Sequence, residues 1–301
     1  MTIAMIGLGR MGANMAARLI NGGHQIVGYD PSEEARQRMV ASGGGSAASL
    51  EELCSKLPTP RILWIMVPAG APVDDTIAGL LPHLHTGDIL IDGGNSNFKD
   101  SMRRAESLRA SNIAFVDAGT SGGIWGLKEG YSMMIGGDEK IVEYLTPIFE
   151  TLAPSKTQGW GRVGECGAGH YVKMVHNGIE YGLMQAYAEG LSLLKHKKGF
   201  EFDVHQISEI WRYGSVVRSW LLDLTADALA KNPELEGIAP VVADSGEGRW
   251  TVFEAIENDV PAPIMTLSLL ERIRSREKES FSDKLLSAMR NEFGGHPIVK
   301  E

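Results

Sequence analysis

The chain has 301 residues, 43% of them hydrophobic and 22% charged, and this composition excludes a disordered or fibrous protein. Its 38 acidic and 29 basic side chains give a net charge of −9, which disfavours a surface for nucleic acid or an anionic membrane. A chain of this length is expected to form two domains, and an anionic substrate would need a local cluster of positive groups.

The two cysteines, Cys54 and Cys166, lie far apart and lack the spacing of a zinc site or a disulfide framework. We therefore expect two reduced thiols and no bound metal. Met1 to Ile6 has no basic segment and no long apolar stretch, so neither a signal peptide nor a membrane span is expected. These features predict a cytoplasmic enzyme.

The first half of the chain alternates short apolar segments with amphipathic ones. The short segments are predicted strands because they are apolar or β-branched and bounded by Gly, Pro or Asp: Ile3 to Ile6, Gln25 to Tyr29, Ile62 to Val67, Ile89 to Asp92, Ala114 to Asp117 and Met133 to Gly136. The predicted helices are Met11 to Asn21, Ser32 to Ala41, Leu50 to Lys56, Val73 to Leu84, Lys99 to Ala110 and Glu139 to Leu152. This alternation predicts a doubly wound α/β fold with a parallel sheet between helices.

Long helical patterns replace this alternation from about Ala168 onward, as in Gly169 to Lys195 and Val204 to Lys231. A glycine-rich segment around Gly164 separates the two patterns. We therefore predict an α/β domain over residues 1–165 and an all-α domain over residues 166–301.

A glycine motif follows the first predicted strand and opens the first predicted helix: Gly7-Leu8-Gly9-Arg10-Met11-Gly12. Glycines in this place let the backbone turn tightly and approach a pyrophosphate, which the N–H groups of a helix N-terminus bind. The motif predicts a Rossmann dinucleotide site formed by these six residues. A glycine turn without a ligand is the alternative.

Asp30 ends the second predicted strand, a little over ~20 residues after the first glycine, where a carboxylate accepts the hydroxyls of a ribose. This carboxylate would repel a 2′-phosphate, and Pro31-Ser32 offers no arginine to bind one. We therefore predict NAD rather than NADP. Val67 and Asn95, which end or follow two further strands, are included in the predicted cofactor site.

A polar stripe is expected on the helix that begins near Gly169. It consists of residues spaced i, i+3, i+4 and i+7, which a helix places on one face: Lys173, His176, Asn177 and Glu180. Apolar residues surround the rest of the helix, which predicts that the helix is buried: Val172, Met174, Val175, Ile179, Leu183 and Met184. Polar groups buried in this way are costly unless they are paired or functional, whereas a solvated Lys/Glu face is the alternative.

A lysine in such a place is suited to act as a base. Burial disfavours the charged form of its amine and lowers its pKa toward the working pH. Lys173 would remove the proton of a substrate hydroxyl while the same carbon loses hydride, and Glu180 would act as the complementary acid.

Two glycine-containing loops follow strands of the first half: Asp92-Gly93-Gly94-Asn95-Ser96 and Asp117-Ala118-Gly119-Thr120-Ser121-Gly122-Gly123. Open parallel sheets bind ligands beyond the carboxyl ends of their strands, so we expect both loops at one place. Their backbone N–H groups and small polar side chains would cradle a carboxylate, although either loop alone is also typical of a tight turn.

Together these segments resemble 6-phosphogluconate dehydrogenase of the short-chain, NAD-dependent type, within the β-hydroxyacid dehydrogenase superfamily. The most specific is Lys173-Met174-Val175-His176-Asn177-Gly178-Ile179-Glu180-Tyr181, because 3-hydroxyisobutyrate dehydrogenase keeps the lysine but not the following His-Asn-Gly-Ile-Glu. The resemblance implies oxidation of the C3 hydroxyl of 6-phosphogluconate, loss of CO2 and protonation of an enediol, which gives ribulose 5-phosphate.

The resemblance also implies the roles of individual residues, with Lys173 as the base and Glu180 as the acid. The implied substrate-binding residues are Asn95, Ser121, Gly122, Gly123, His176, Asn177, Tyr181, Arg272, Arg290 and His296. The tail Arg290-Asn291-Glu292-Phe293-Gly294-Gly295-His296 is similar to a family motif that reaches into a neighbouring subunit's site. A homo-oligomer, either dimer or tetramer, is therefore expected, with the helical domain serving substrate binding and oligomerisation.

Two features depart from the long form of the family. The chain is much shorter than the long form, and we expect one helical unit where that form has a duplicated pair. Ser245 and Glu247 stand where the long form offers a lysine and a threonine to the phosphate. Tyr181, Arg272 and Arg290 would then hold the phosphate, and each arginine is suited to a bidentate contact.

Two alternatives remain open at this stage. One is a non-decarboxylating β-hydroxyacid dehydrogenase of the 3-hydroxyisobutyrate or tartronate-semialdehyde type, which would leave Glu180 and Arg290 without a function. The other is a dinucleotide sensor or scaffold without activity, which the presence of Lys173 and Glu180 disfavours.

Overall fold

The structure, a computed structural model, describes residues 1–299. An eight-stranded sheet organises the first part of the chain, in the order β3-β2-β1-β4-β5-β6-β7-β8. The strands are β1 Thr2–Ile6, β2 Gln25–Tyr29, β3 Gly45–Ala47, β4 Ile62–Ile65, β5 Ile89–Asp92, β6 Ala114–Ser121, β7 Ser132–Gly136 and β8 Trp160–Gly164. All six predicted strands are present, and the doubly wound α/β fold is confirmed.

Helices connect these strands, close to the predicted bounds except for the short α6, which was not predicted. They are α1 Arg10–Asn21, α2 Glu33–Ala41, α3 Leu50–Ser55, α4 Ala71–Leu80, α5 Phe98–Arg109, α6 Gly126–Glu129 and α7 Glu139–Leu152. The helix predicted up to Leu84 ends earlier, because its last turn is a 3-10 helix, Leu81–His83, that contains Pro82.

One strand pair differs from the predicted parallel arrangement, since β7 runs antiparallel to β6. Only about ten residues separate the end of β6 from the start of β7, which is too few for the crossover helix that a parallel pair requires. The other neighbouring pairs are parallel.

Two strands were missing from the sequence prediction, and both lie at sheet edges. β3 has three residues, and β8 contains glycines at both Gly161 and Gly164. Short, glycine-containing strands lack the apolar, β-branched pattern on which the prediction depends. The glycine-rich segment around Gly164 therefore belongs partly to the sheet and is not simply a linker.

The sheet is covered on both faces, so its central strands are apolar throughout. Successive residues of β1 point to opposite faces: Ile3 and Met5 pack in one core cluster with α1 and α7, whereas Ala4 and Ile6 pack in the other with α3 and α4.

The rest of the chain is helical, as predicted. The helices are α8 Ala168–Lys195, α9 Val204–Arg212, α10 Trp220–Lys231, α11 Glu247–Glu257, α12 Pro263–Arg274 and α13 Phe281–Gly294. The stretch predicted as helical from Val204 to Lys231 is divided, because Gly214 has a φ of +74° and Ser219 caps a new helix. Among residues 1–299 we find no helix both long and apolar enough to span a bilayer.

The chain divides into two compact units, Met1–His176 and a second that begins at Asn177, so the division falls inside α8. The predicted domain boundary between residues 165 and 166 stays a prediction. One buried apolar cluster of the second unit consists of Tyr181, Val252 and Leu269, and Leu222 and Ala226 of α10 are also buried.

Candidate active site

The glycine motif lies at the point where the strand order reverses, because β1 has both β2 and β4 as neighbours. Gly7 has a φ of +92°, and a Cβ built on it would lie 2.6 Å from the carbonyl oxygen of Met66. A Cβ on Gly12 would lie 2.0 Å from the carbonyl oxygen of Gly7. The loop therefore requires glycine at both positions, and its close approach to β4 and α1 is typical of a dinucleotide site.

The carboxylate of Asp30 holds this loop from the end of β2. Its Oδ2 accepts a 2.8 Å hydrogen bond from the backbone N–H of Leu8, and its Oδ1 accepts one of 2.9 Å from Ser32. The structure thus brings the predicted ribose-binding carboxylate next to the predicted pyrophosphate loop. This arrangement fits the adenosine half of a dinucleotide.

Arg36 is a basic residue near Asp30 that the sequence analysis missed. Its guanidinium donates to the carbonyl oxygens of Asp30 and Pro31, at 2.7 and 3.0 Å. The prediction considered only Pro31-Ser32, which contains no arginine, whereas α2 brings one back six positions after Asp30. The i+4 spacing from Ser32, the N-cap of α2, was the available signal.

Val67 lies beside the glycine loop, and the loop that carries Asn95 packs on Val67. Gly7 has the Val67 side chain in its surroundings, and a Cβ on Gly94 would lie 2.6 Å from the Val67 carbonyl oxygen. The side-chain amide of Asn95 accepts a hydrogen bond from the backbone N–H of Thr120 at 2.8 Å and donates to its carbonyl oxygen at 3.1 Å. The loop after β5 therefore meets the C-terminal end of β6.

The second loop differs in detail from the expectation. β6 extends to Ser121, so Asp117 lies inside a strand, and its side chain is fully buried. Both of its carboxylate oxygens accept backbone N–H groups at the start of α8, so Asp117 does not belong to a ligand cradle. The part of the loop that stays a predicted cradle begins at Ser121 and continues through Gly122 and Gly123, whose φ values are +129° and +52°.

Lys173, the predicted proton acceptor, lies against the strand that leads into this segment. Lys173 is on α8 and only 5% exposed, and a Cβ built on Gly119 would lie 2.5 Å from the Lys173 Cβ. The aliphatic part of the lysine thus packs directly on β6, two residues before Ser121. Of the other stripe residues, Asn177 is buried, whereas His176 and Glu180 are partly exposed.

Lys173 is buried for a different reason from the predicted one. Four of the six apolar residues that predicted a buried helix are 38–52% exposed, namely Val172, Ile179, Leu183 and Met184. Met174 is buried, as are Lys173 and Asn177 of the stripe, whereas His176 and Glu180 are partly exposed. An apolar circumference was therefore the wrong reason for expecting a buried amine, because Lys173 is buried where α8 packs on Gly119 of β6.

In the second unit, the structure brings Tyr181 and Arg272 together. The guanidinium of Arg272 lies 3.5 Å above the centre of the Tyr181 ring and donates to the Ala243 carbonyl oxygen at 2.9 Å. Such stacking orients an arginine and leaves part of its fork for an anion. By contrast, Arg249 and Arg276 are both bound to Asp244 and hold the pKa of its carboxyl below the usual range.

The two residues that depart from the long form lie beside Tyr181. The backbone N–H of Ser245 donates to the Tyr181 hydroxyl at 3.2 Å, and the Ser245 hydroxyl donates to the carboxylate of Glu247. Glu247 is only 7% exposed and begins α11. The Glu247 carboxylate is therefore bound by the Ser245 hydroxyl, while the Ser245 backbone contacts the Tyr181 hydroxyl.

The tail residues Arg290 and His296 are exposed. Arg290 is on α13, and His296 follows Gly295, whose left-handed conformation ends that helix. Their predicted site role concerns a neighbouring copy and stays a prediction.

A separate cavity of about 600 Å³ lies in the second unit. It is largely apolar, and its lining includes Leu191, Val204, Leu221, Leu224 and Leu229 but none of the predicted site residues. Lys195, His196 and Glu234 add titratable groups to this lining.

Comparison with known proteins gives a consistent result along the whole chain. Residues 2–161 match the family model described as the NAD binding domain of 6-phosphogluconate dehydrogenase, and residues 169–292 match that of the 6-phosphogluconate dehydrogenase C-terminal domain. The NAD(+)-dependent, decarboxylating 6-phosphogluconate dehydrogenase of Haloferax volcanii is 42% identical over 302 residues, which cover 100% of this chain and 99% of the relative. The decarboxylating 6-phosphogluconate dehydrogenase of Bacillus licheniformis is 38% identical and longer, with 62% of its length covered.

Solved structures show the same relationship. 6-Phosphogluconate dehydrogenase of Plasmodium falciparum matches with a TM-score of 0.85 and 30% identity, over 100% of this chain and 66% of that one. 3-Hydroxyisobutyrate dehydrogenase of Salmonella typhimurium matches with a TM-score of 0.73 at 20% identity, covering 89% of this chain and 91% of that one, and this likeness concerns the fold alone.

Proposed function

The chain belongs to the 6-phosphogluconate dehydrogenase family, and from this premise we propose that it converts 6-phosphogluconate and NAD to ribulose 5-phosphate, CO2 and NADH. The observation that carries the proposal is the buried amine of Lys173, packed on β6 beside the glycine cradle. A base is needed there because hydride loss from C3 requires removal of the C3 hydroxyl proton.

The glycine loop, Asp30, Val67 and Asn95 would hold the cofactor. Bound NAD supplies the acceptor for the hydride that leaves C3. The loop offers backbone N–H groups to the pyrophosphate, and Asp30 offers a carboxylate to the adenosine ribose. The fit is supported by the two close approaches at Gly7 and Gly12, which a side chain would fill.

Lys173 acts first as a base and then as an acid in this proposal. Its neutral amine accepts the C3 hydroxyl proton as C3 becomes a ketone. When the C1–C2 bond breaks and CO2 leaves, the electron pair moves to the C3 oxygen, to which the Lys173 ammonium returns the proton. The result is an enediol, and the amine is neutral again.

Glu180 supplies the last proton. The enediol carbon that was C2 needs a proton to become C1 of ribulose 5-phosphate, and Glu180 is seven residues after Lys173 on α8. Two turns of helix, about 10.5 Å of rise, keep the two side chains on one face of the helix while separating them along the substrate. As Glu180 donates, Lys173 takes up the proton of the enediol hydroxyl, and solvent then restores both groups.

The remaining substrate contacts are assigned on the same basis. Ser121, Gly122, Gly123, His176 and Asn177 would bind the carboxylate and hydroxyl groups. Arg272 and Tyr181 would bind the phosphate, supported by the 3.5 Å stacking that fixes the guanidinium.

A comparison of substrates tests the proposal. We expect NADH formation with 6-phosphogluconate at a kcat/KM at least about 10³-fold above that with 3-hydroxyisobutyrate, because only the former engages the phosphate residues. Equal or better turnover of the unphosphorylated acid would refute the assignment in favour of a non-decarboxylating dehydrogenase.

The cofactor preference is predicted to depend on Asp30. Asp30→Ala removes the ribose acceptor and the carboxylate that holds Leu8, so kcat/KM for NAD should fall by about tenfold or more. With the repulsion gone and Arg36 nearby, the preference for NAD over NADP should shrink. The check is kcat/KM for both cofactors in Asp30→Ala and wild type; a wild type that prefers NADP would contradict the prediction.

We propose that the protein is a homo-oligomer in which the tail bearing Arg290 and His296 serves a neighbouring copy. Support comes from the second unit, which has many exposed apolar side chains: Leu193, Ile210, Phe253, Ile256, Ile264 and Phe281. Light scattering should give two or four times the 32.6 kDa chain mass, whereas a monomer at assay concentration would contradict this arrangement.

A further inference from the structure

The start of α8 is held by a carboxylate from the sheet. Asp117 on β6 is fully buried, and its Oδ1 accepts the Gly167 N–H at 2.6 Å while Oδ2 accepts the His170 N–H at 2.7 Å. The first N–H groups of a helix have no partners within the helix, and a negative charge there is stabilised by the helix dipole. Asp117 therefore caps α8 from another element of the same unit.

Glycines allow the helix backbone to lie directly on the strands. A Cβ on Gly169 would lie 2.5 Å from the carbonyl oxygens of both Asp117 and Met134. A Cβ on Gly119 would lie 2.6 Å from the Gly169 carbonyl oxygen and 2.5 Å from the Lys173 Cβ. Contacts this close fix the distance between α8 and β6. If the Asp117 hydrogen bonds were lost and the first turn of α8 shifted, Lys173 would shift with it.

A second anchor acts on the same turn. The His170 ring is 1% exposed, and its Nδ1 shares a 2.8 Å hydrogen bond with the Ser101 hydroxyl. Burial, together with the Asp117 and Asp92 carboxylates, raises the pKa of the nearby Cys166 thiol, which therefore stays neutral. Asp117 is the charged side chain of β6 that contacts the first turn of α8. Lys173 lies on the same helix, three residues after His170.

We infer that Asp117 is a positioning residue for Lys173: its two hydrogen bonds fix the first turn of α8 on β6 and thereby set where the amine meets the substrate. The inference rests on the proposed function in taking Lys173 as the base. Asp117 itself does not touch substrate, because both of its oxygens are engaged by backbone N–H groups in the interior.

Asp117→Asn is the direct test. An amide presents one acceptor oxygen and an NH2 group that cannot accept, so one of the two N–H groups loses its partner. We expect kcat with 6-phosphogluconate to fall by about 10- to 100-fold, as is typical of a small displacement of a catalytic group. The KM for NAD should stay within about twofold, since the cofactor loop is untouched, and the isotope effect with C3-deuterated substrate should rise as hydride transfer becomes rate-limiting.

Asp88→Asn is the matched control. Asp88 is also fully buried and also accepts two backbone N–H groups, from Arg61 at 2.7 Å and His85 at 2.9 Å, but it precedes β5 at the other end of the strands. We expect both variants to lower Tm, and only Asp117→Asn to lower kcat and raise the isotope effect. Equal kcat in the two variants, whether unchanged or reduced, would overturn the inference.

A second variant and a measurement without turnover complete the design. If Asp117→Asn does not fold, Gly119→Ala places a methyl group against the Lys173 Cβ and should lower kcat with the KM for NAD unchanged. Acetic anhydride labelling of the Lys173 amine needs no substrate and should be faster in the Asp117 variant than in the Asp88 variant. Wild type that makes no NADH refutes the proposed function alone, whereas equal labelling rates in the two variants refute the role of Asp117.

Discussion

Lys173→Met is expected to lower kcat for NADH formation from 6-phosphogluconate by about 10³-fold or more. Methionine keeps most of the length and the apolar packing of the lysine against Gly119 but cannot accept the C3 hydroxyl proton. NAD binding should persist, because the glycine loop and Asp30 belong to other elements. Steady-state kinetics with fluorescence titration of NADH separates the two effects.

Lys195→Met provides the control on the same helix. Lys195 ends α8, is exposed and pairs with Glu234, so its loss should leave kcat within about twofold of wild type. Turnover of Lys173→Met that matched the Lys195 variant would show that another group acts as the base.

Glu180→Gln is expected to lower steady-state kcat by about 10²-fold while leaving the first oxidation largely intact. Glutamine cannot donate a proton to the enediol carbon, but hydride transfer and deprotonation of the C3 hydroxyl do not require Glu180. A rapid-mixing experiment should therefore show a burst of NADH close to one equivalent per active site, followed by slow turnover. The burst is the distinguishing feature of a late defect.

Glu189→Gln is the corresponding control, because Glu189 is exposed on α8 and interacts only with Gln185 among the contacts described for it. Its variant should behave as wild type. A Glu180 variant that lacked the burst would place the residue in the oxidation step, and one with normal turnover would remove it from the mechanism.

The sequence predicted best what depends on periodicity and on punctuation by glycine. The central strands are apolar on both faces and bounded by turn residues, so β1, β2, β4 and β5 were found close to their bounds. The edge strand β8 was missed, because its strand conformation depends on pairing with β7 and not on its own residues. The antiparallel direction of β7 was also missed. It depends on the short connection after β6, and β6 was predicted to end at Asp117 whereas it ends at Ser121.

The candidate site was predictable where residues lie in one motif and less so where tertiary packing brings them together. The spacing of Lys173 and Glu180 predicted a shared face of one helix, and both residues are on α8. Nothing local indicated that Asp117 would cap that helix from 50 residues away. Such contacts arise between elements, and no local pattern encodes them.

The most direct test uses 6-phosphogluconate labelled at carbon 1, the carboxylate carbon, with NAD and the wild-type protein. The account predicts that labelled CO2 and NADH appear in a ratio of one to one, with ribulose 5-phosphate as the remaining product. NADH formed without labelled CO2 would contradict it, because an oxidation that stops at the keto acid has no use for the proton that Glu180 is proposed to deliver.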